Sequence, residues 1–213
     1  LRRWELELEL DASGNGTLRG SLELRGLEAI LWRDAFDQID SDKIPEVFTG
    51  AELQRILPIA ALDLQGLEWE NQWELEQPLI ARFSASVRNG GVVQGGMLAT
   101  LAATVPIDQS TGYTRLPERW SGMVIGYAPV LEAAVTLRLK GRRFAEVPAD
   151  VELTSKRGEY RRKRISGGVG DSELVFESRS TLAPGIVEVG DYDELVRFSQ
   201  RVQAAEQQLL RAK

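Results

Sequence analysis

Two stretches of this chain hold residue types that could do chemistry. The first is "EWENQWELE", where Trp69 and Trp73 sit among Glu68, Glu70, Glu74 and Glu76. Stacking aromatics beside carboxylates suit a sugar-binding platform. They also suit a glycosidase, in which one carboxyl acts as acid and a second, about 5–9 Å away, acts as base or nucleophile. The second is "KRGEYRRKR", whose Lys156, Arg157, Arg161, Arg162, Lys163 and Arg164 place six cations within nine residues. Such a run could hold phosphate or another anionic surface.

Each stretch also has a structural reading. Alternation along a strand would separate Arg161 and Lys163 from Arg162 and Arg164, leaving a solvated sheet edge. Glu set opposite Leu or Trp is the ordinary decoration of a sheet with one wet face. We therefore expect core or interface roles for Trp69 and Trp73 ahead of ligand contact. The basic run reads as a sheet edge first, a dock for an acidic partner domain second and a polyanion site third.

Composition removes many other chemistries. The 213 residues include no His and no Cys. That excludes Ser-His-Asp and Cys-His nucleophilic sites, thiolate chemistry and nearly every ordinary zinc site. "DASGNG" has too few acids for a calcium loop, although Asp11 with Asn15 could form a weak oxygen site. "GGVGDS" lacks the Lys of a phosphate-binding loop and reads as a turn. No cofactor is expected.

A net charge of −6 makes nucleic acid an unexpected partner. The charge is unevenly spread: residues 1–77 carry 17 acidic and 7 basic side chains, whereas residues 138–164 carry 10 basic and 4 acidic ones. No stretch reaches the roughly 18 apolar residues of a membrane span. The uncharged run from Asn89 to Ile107 comes nearest, and its four Gly mark it as buried strand and loop.

The elements that would position these residues are mostly strands. "WELELELD" alternates Trp4, Leu6, Leu8 and Leu10 against Glu5, Glu7 and Glu9, and Gly14-Asn15-Gly16 turns it into a hairpin with Leu18, Leu22 and Leu24 in phase. Helical spacing follows at Leu27, Ile30, Leu31 and Ala35, predicting a helix over 27–39. "TGAELQRILP" predicts a second one over 49–57, with Thr49 as N-cap, Glu52 three residues later and Pro58 as the stop. Alternation returns at Leu62 and Leu64, and slips by one at Gln65-Gly66 before Leu67 and Trp69, as a bulge would do. "QWELE", "LIARFSASV", "LEAAVTLRL", "GEYRRKRIS" and "SELVFESRSTL" are further strands. Last comes an amphipathic helix with Asp191 as N-cap, Glu194 three residues on, and a stripe of Leu195, Phe198, Val202, Ala205 and Leu209. The fold class is α+β and predominantly β: an antiparallel sheet or sandwich, two short helices after the first hairpin, and a C-terminal helix packed on the sheet. We expect one β-rich domain over 1–213, with a possible subdivision near 90–112.

These elements together resemble the C-terminal β-rich domain of unknown function in bacterial transglutaminase-like proteins, which follows a papain-like core. The resemblance is carried by "LELELDASGNGTLRGSLELRGLEA", by "RWSGMVIGYAPVLEAAVTLRL", and by "FAEVPADVELTSKRGEYRRKRIS" with the ending "SELVFESRSTLAPGIVEVGDYDELVRFSQRVQAAEQQLLRAK". Lys140 stands where such proteins often carry Pro, and Gly90 to Thr111 has no counterpart. The family's catalytic Cys, His and Asp belong to the preceding core, so no catalytic role carries over to any residue here. The resemblance implies a non-enzymatic accessory domain, cut from a longer protein, as the start Leu1-Arg2-Arg3-Trp4 also suggests. It would position or support the core, or bind a protein or cell-envelope component, in a periplasmic or envelope location. The alternatives are a carbohydrate- or peptide-binding module and, less favoured, a carboxylate-dependent hydrolase using Glu70 and Glu74.

Overall fold

A computed structural model describes residues 1–58, 60–100 and 105–213. The opening alternation forms β1 (Arg2–Leu10) and β2 (Gly16–Leu24), an antiparallel hairpin in full register from Arg2↔Leu24 to Leu10↔Gly16. Then come α1 (Leu27–Gln38) and one continuous helical stretch: α2 (Ile44–Phe48), a π-helical turn (Thr49–Leu53) and α3 (Gln54–Ile56). Next are β3 (Ala61–Glu70), β4 (Leu79–Arg88), β5 (Val92–Gln94), β6 (Met97–Thr100), β7 (Met123–Ile125) and β8 (Leu131–Leu139). The chain ends with β9 (Phe144–Glu146), β10 (Val151–Thr154), β11 (Gly158–Ser166), β12 (Glu173–Leu182), β13 (Gly185–Val187), α4 (Val189–Glu206) and β14 (Leu210–Ala212).

Eight strands make one sheet in the order β10-β11-β12-β8-β1-β2-β4-β3. Its neighbours are antiparallel except β1 and β8, which run parallel from Arg2↔Leu131 to Leu10↔Leu139. The period-two pattern decides which face is dry. Trp4, Leu6, Leu8 and Leu10 are buried, as are Ala81, Phe83, Ala85 and Val87 on β4 and Ala133, Val135, Leu137 and Leu139 on β8. Helices cover that face: Trp32, Phe48, Leu53 and Ile56 on one side, Tyr192, Leu195, Phe198 and Val202 of α4 on the other, all in one core. The phase slip at Gln65-Gly66 is a bulge, where β3 shifts register against β4 between Leu64 and Gly66. The fold is thus α+β and mostly β, with a C-terminal helix after the sheet.

Four expectations about the helices fail, each for a tertiary reason. Leu27, Ile30 and Leu31 are exposed, whereas Ala29, Trp32, Glu28 and Arg33 are buried. Ion pairs and backbone acceptors, invisible to a hydropathy pattern, turn α1 the other way. The second helix starts at Ile44 with Pro45 in its first turn, so Thr49 is not an N-cap; its hydroxyl donates back to the Pro45 carbonyl. α4 starts at Val189 with Glu188 as N-cap, and Asp191 lies in its first turn, paired with Lys156 at 2.6 Å. The helix ends at Glu206, before Leu209: Leu209 is exposed and Leu210 enters β14.

β14 sits in a four-stranded sheet ordered β5-β6-β14-β9, so the chain's end pairs with the Gly-rich middle. β5 in that middle is exposed, unlike the buried strand expected, and β6 alternates half-buried with buried. Residues 101–104 of that stretch lie outside the described residues.

Candidate functional site

The two tryptophans of the acid-rich stretch part company. Trp69, on β3, points to the helical side, its ring centroid 4.9 Å from those of Trp32 and Phe36 and 5.6 Å from Phe48. It belongs to an interior aromatic cluster and forms no stacking platform with Trp73. Trp73 sits on the loop after β3, not on the strand expected of "QWELE", because Arg33 ties up the loop carbonyls; it is 64% exposed and meets the cluster at its rim through Phe36 at 6.5 Å. Arg33 holds that loop. Its guanidinium donates to the carbonyls of Gln72 (3.0 Å), Asn71 (2.9 Å), Glu74 (2.8 Å) and Gln77 (3.0 Å). Glu70 pairs with Arg82 at 2.6 Å on the wet face.

The basic run is a sheet edge only in part: β10 pairs outside Glu159 to Arg162 and makes β11 the second strand in, whereas Lys163 and Arg164 have β12 as their strand neighbour. Alternation then sends its residues to opposite faces. Arg162 has 0% exposure and lies on the dry face beside Tyr160. It donates to the carbonyls of Ala205 (2.6 Å) and Ala149 (2.8 Å) and to Gln208 Oε1 (2.6 Å), with Phe176 5.9 Å from its guanidinium carbon. The orphan carbonyls and negative end of α4 explain why a cation is stable there, while burial lowers its pKa from the ordinary value. Arg161 and Lys163 face water. Arg161 stands between Glu152 of β10 and Arg179 of β12, and Lys163 opposite Glu177. Arg164 is exposed, and its backbone N–H donates to Asp150 Oδ1 at 2.8 Å. The cations therefore do not converge on one ligand.

A second polar group lies under α4. Glu206 is buried, and its carboxylate accepts the Ile107 N–H at 2.8 Å. Burial, reinforced by the nearby Asp108 charge, pushes its pKa up to about 8. Asp108 accepts from Ser110 N–H at 2.8 Å and from the hydroxyls of Ser110 and Thr111, and Thr114 Oγ1 donates to Ser199 Oγ at 2.9 Å. Tyr160, buried below, has its hydroxyl pushed above the ordinary value chiefly by burial. Asp108 closes its own loop and also accepts from Ser199 Oγ of α4 at 3.5 Å, while Gln203 Nε2 donates to Thr111 Oγ1 at 3.1 Å, so the arrangement latches 105–114 to α4. Helical spacing held the clue: Ser199 and Glu206 share the face of Val202.

The wet face of the main sheet forms a shallow trough of about 650 Å³, lined by Glu5, Glu7, Arg19, Glu68, Arg82 and small residues such as Ser84. A smaller one of about 300 Å³ lies between Arg3, Glu132, Arg161 and Arg179. Neither is lined by Glu70 or Glu74. Cross-strand ion pairs occupy much of this face, among them Arg3–Glu132 (2.7 Å) and Arg138–Glu173 (2.6 Å). Asp11 is also engaged: its Oδ1 accepts from Ser13 N–H (2.7 Å) and Asn15 N–H (3.1 Å). Among the described residues no cluster of three or more acidic ligands could hold a metal ion, and no helix is long and apolar enough to cross a membrane.

The most exposed aromatic is one that the sequence offers only as one Trp among five, with no local pattern to single it out. Trp120 is 90% exposed on the loop before β7, with Leu116 also exposed four residues earlier. Val124 of β7 and Ile186 of β13 are directly paired, so they share one side of that two-stranded ribbon, and both face water. Arg119 stacks over the Tyr192 ring at 5.4 Å, which anchors the loop to α4. Compared with family models, curated proteins and solved structures, the chain matches none.

Proposed function

We propose that this chain is a non-catalytic accessory domain that docks onto a larger protein, and that its partner is a transglutaminase-like core in the same polypeptide. One observation carries the reading: Leu116 and Trp120 on the loop before β7, and the paired Val124 and Ile186, expose large apolar side chains. Scattered surface hydrophobics need no explanation, but an almost fully exposed Trp in the same segment as other exposed apolar side chains is the composition of an interface hot spot. The cation–π anchor at Arg119 keeps the loop ordered without the partner, which lowers the entropic cost of docking. A periplasmic or envelope location, and an envelope component as a further partner, are proposed with it from the resemblance.

The test measures association between this domain and a separately expressed transglutaminase-like core, by calorimetry. Trp120→Ala is expected to weaken that association by about tenfold or more, with the domain's own melting unchanged. Absence of association, together with no effect of deleting the domain on the core's stability or activity, rejects the reading.

A further inference from the structure

We propose that the outer face of α1, with the Trp73 loop beside it, is a docking surface for a basic amphipathic helical segment of a partner protein. The proposal rests on the reading of the chain as an interaction domain, but uses residues other than those of the Trp120 loop.

α1 carries two apolar faces. Ala29, Trp32 and Phe36 serve the inner one; Leu27, Ile30 and Leu31 stand outward, with Ile30 55% and Leu31 56% exposed. The helix cannot turn to hide them. Glu28 pairs with Arg2 at 2.6 Å, Trp32 Nε1 donates to Glu52 at 2.9 Å, and Arg33 is held by four loop carbonyls. Rotating α1 far enough to bury Ile30 and Leu31 would break all of these and leave buried charges without partners. The outward apolar stripe is therefore fixed by the inner contacts. Its i, i+3, i+4 spacing is that of helix-to-helix anchors.

Charge selects the occupant. The other exposed side chains of α1 and the loop include Asp34, Asp37, Glu74 and Glu76, with Leu75, 75% exposed, between the last two. α1 has no basic residue in its last turn. Asp34 and Asp37 lie toward the end where a carboxylate opposes the helix dipole and a cation is favourable. Cations of adjoining segments are already engaged, Arg25 with Glu23, Lys43 with Asp40 and Arg82 with Glu70. An apolar stripe edged by four carboxylates fits a segment with apolar residues on one side and Lys or Arg along its margins. It repels an anionic lipid surface.

The experiment titrates the whole chain with a synthetic helical peptide of Leu and Lys, about five turns long, and with its counterpart in which Glu replaces Lys. Binding of the Lys peptide is expected, weakening as salt rises, with none for the Glu peptide. Ile30→Ser with Leu31→Ser should weaken it about tenfold or more, and Asp34→Asn with Asp37→Asn should flatten the salt dependence. Trp120→Ala should leave it unchanged, which separates this surface from the first. No binding, equal binding of both peptides, or binding indifferent to the Ile30 and Leu31 changes overturns the proposal. So does sedimentation showing a dimer that Leu31→Ser disperses, which would assign the face to a second copy.

Discussion

Arg162 Nη1 donates to the Ala205 carbonyl at 2.6 Å, tying the middle of β11 to the last turn of α4. With Ala149 and Gln208 as its other acceptors, the guanidinium closes the helix end from below. Arg162→Met keeps the stem but leaves the buried Ala205 carbonyl without this donor, and frees half-buried Gln208 and exposed Ala149. We expect a loss of about 2–4 kcal/mol in urea unfolding, with amide exchange in the last turn of α4 accelerating most. A change within about 0.5 kcal/mol would show that the contact is idle.

Glu206 makes stability depend on pH. Its folded pKa of about 8 lies above the ordinary 4.5, so the folded state holds a proton that the unfolded chain releases. The contribution is full below about pH 4.5 and is lost as pH rises to about 8. The slope in that window is at most about 1.4 kcal/mol per pH unit. Glu206→Gln retains an acceptor for the Ile107 N–H and abolishes the ionisation. Melting temperatures from pH 5 to 9 should fall less steeply for the variant, which overtakes the parent at the alkaline end. Parallel curves would contradict this.

Arg33 holds the Trp73 loop through four carbonyls and no carboxylate. Arg33→Met should free that loop. Limited proteolysis is expected to cut within 71–77, and Trp73 emission to become more readily quenched, at a stability cost of about 2–4 kcal/mol. A loop as resistant as the parent's would mean that the backbone holds itself.

Gly16 opens β2 where the hairpin is tightest: a Cβ there would lie 1.7 Å from the Glu9 carbonyl oxygen. Gly16→Ala must shift backbone, not a flexible side chain, and should cost about 1–3 kcal/mol. Gly50, with nothing within 4 Å of its Cβ, provides the matched control. Equal stability of the two alanine variants would dismiss the argument.

Strand residues were legible because a strand's pattern is local. Leu6 and Glu7 part to opposite faces by the pleat alone, and a bulge at Gln65-Gly66 reveals itself as a slip of phase. The Gly14-Asn15-Gly16 turn, the two helices before β3 and the closing helix were legible on the same grounds. Hydropathy periodicity failed where long-range polar contacts outweigh it. Leu27, Ile30 and Leu31 face water because Glu28 and Arg33, though charged, have partners inside: Arg2 of β1 and the carbonyls after β3.

The same divide runs through the candidate sites. That Arg161 and Arg162 part company follows from alternation, but which of them is buried depends on where α4 ends. Trp69 and Trp73, four residues apart, diverge because one still lies on β3 and the other on a loop beyond it. Chain order alone settles element type and the two faces of each strand, since both come from neighbouring residues. Which face is covered, and which charge finds a buried partner, was decided only when distant segments met, as Arg2 of β1 and Glu52 do, 50 residues apart. Burial free energy is a property of that assembled surface, and no window along the chain contains it.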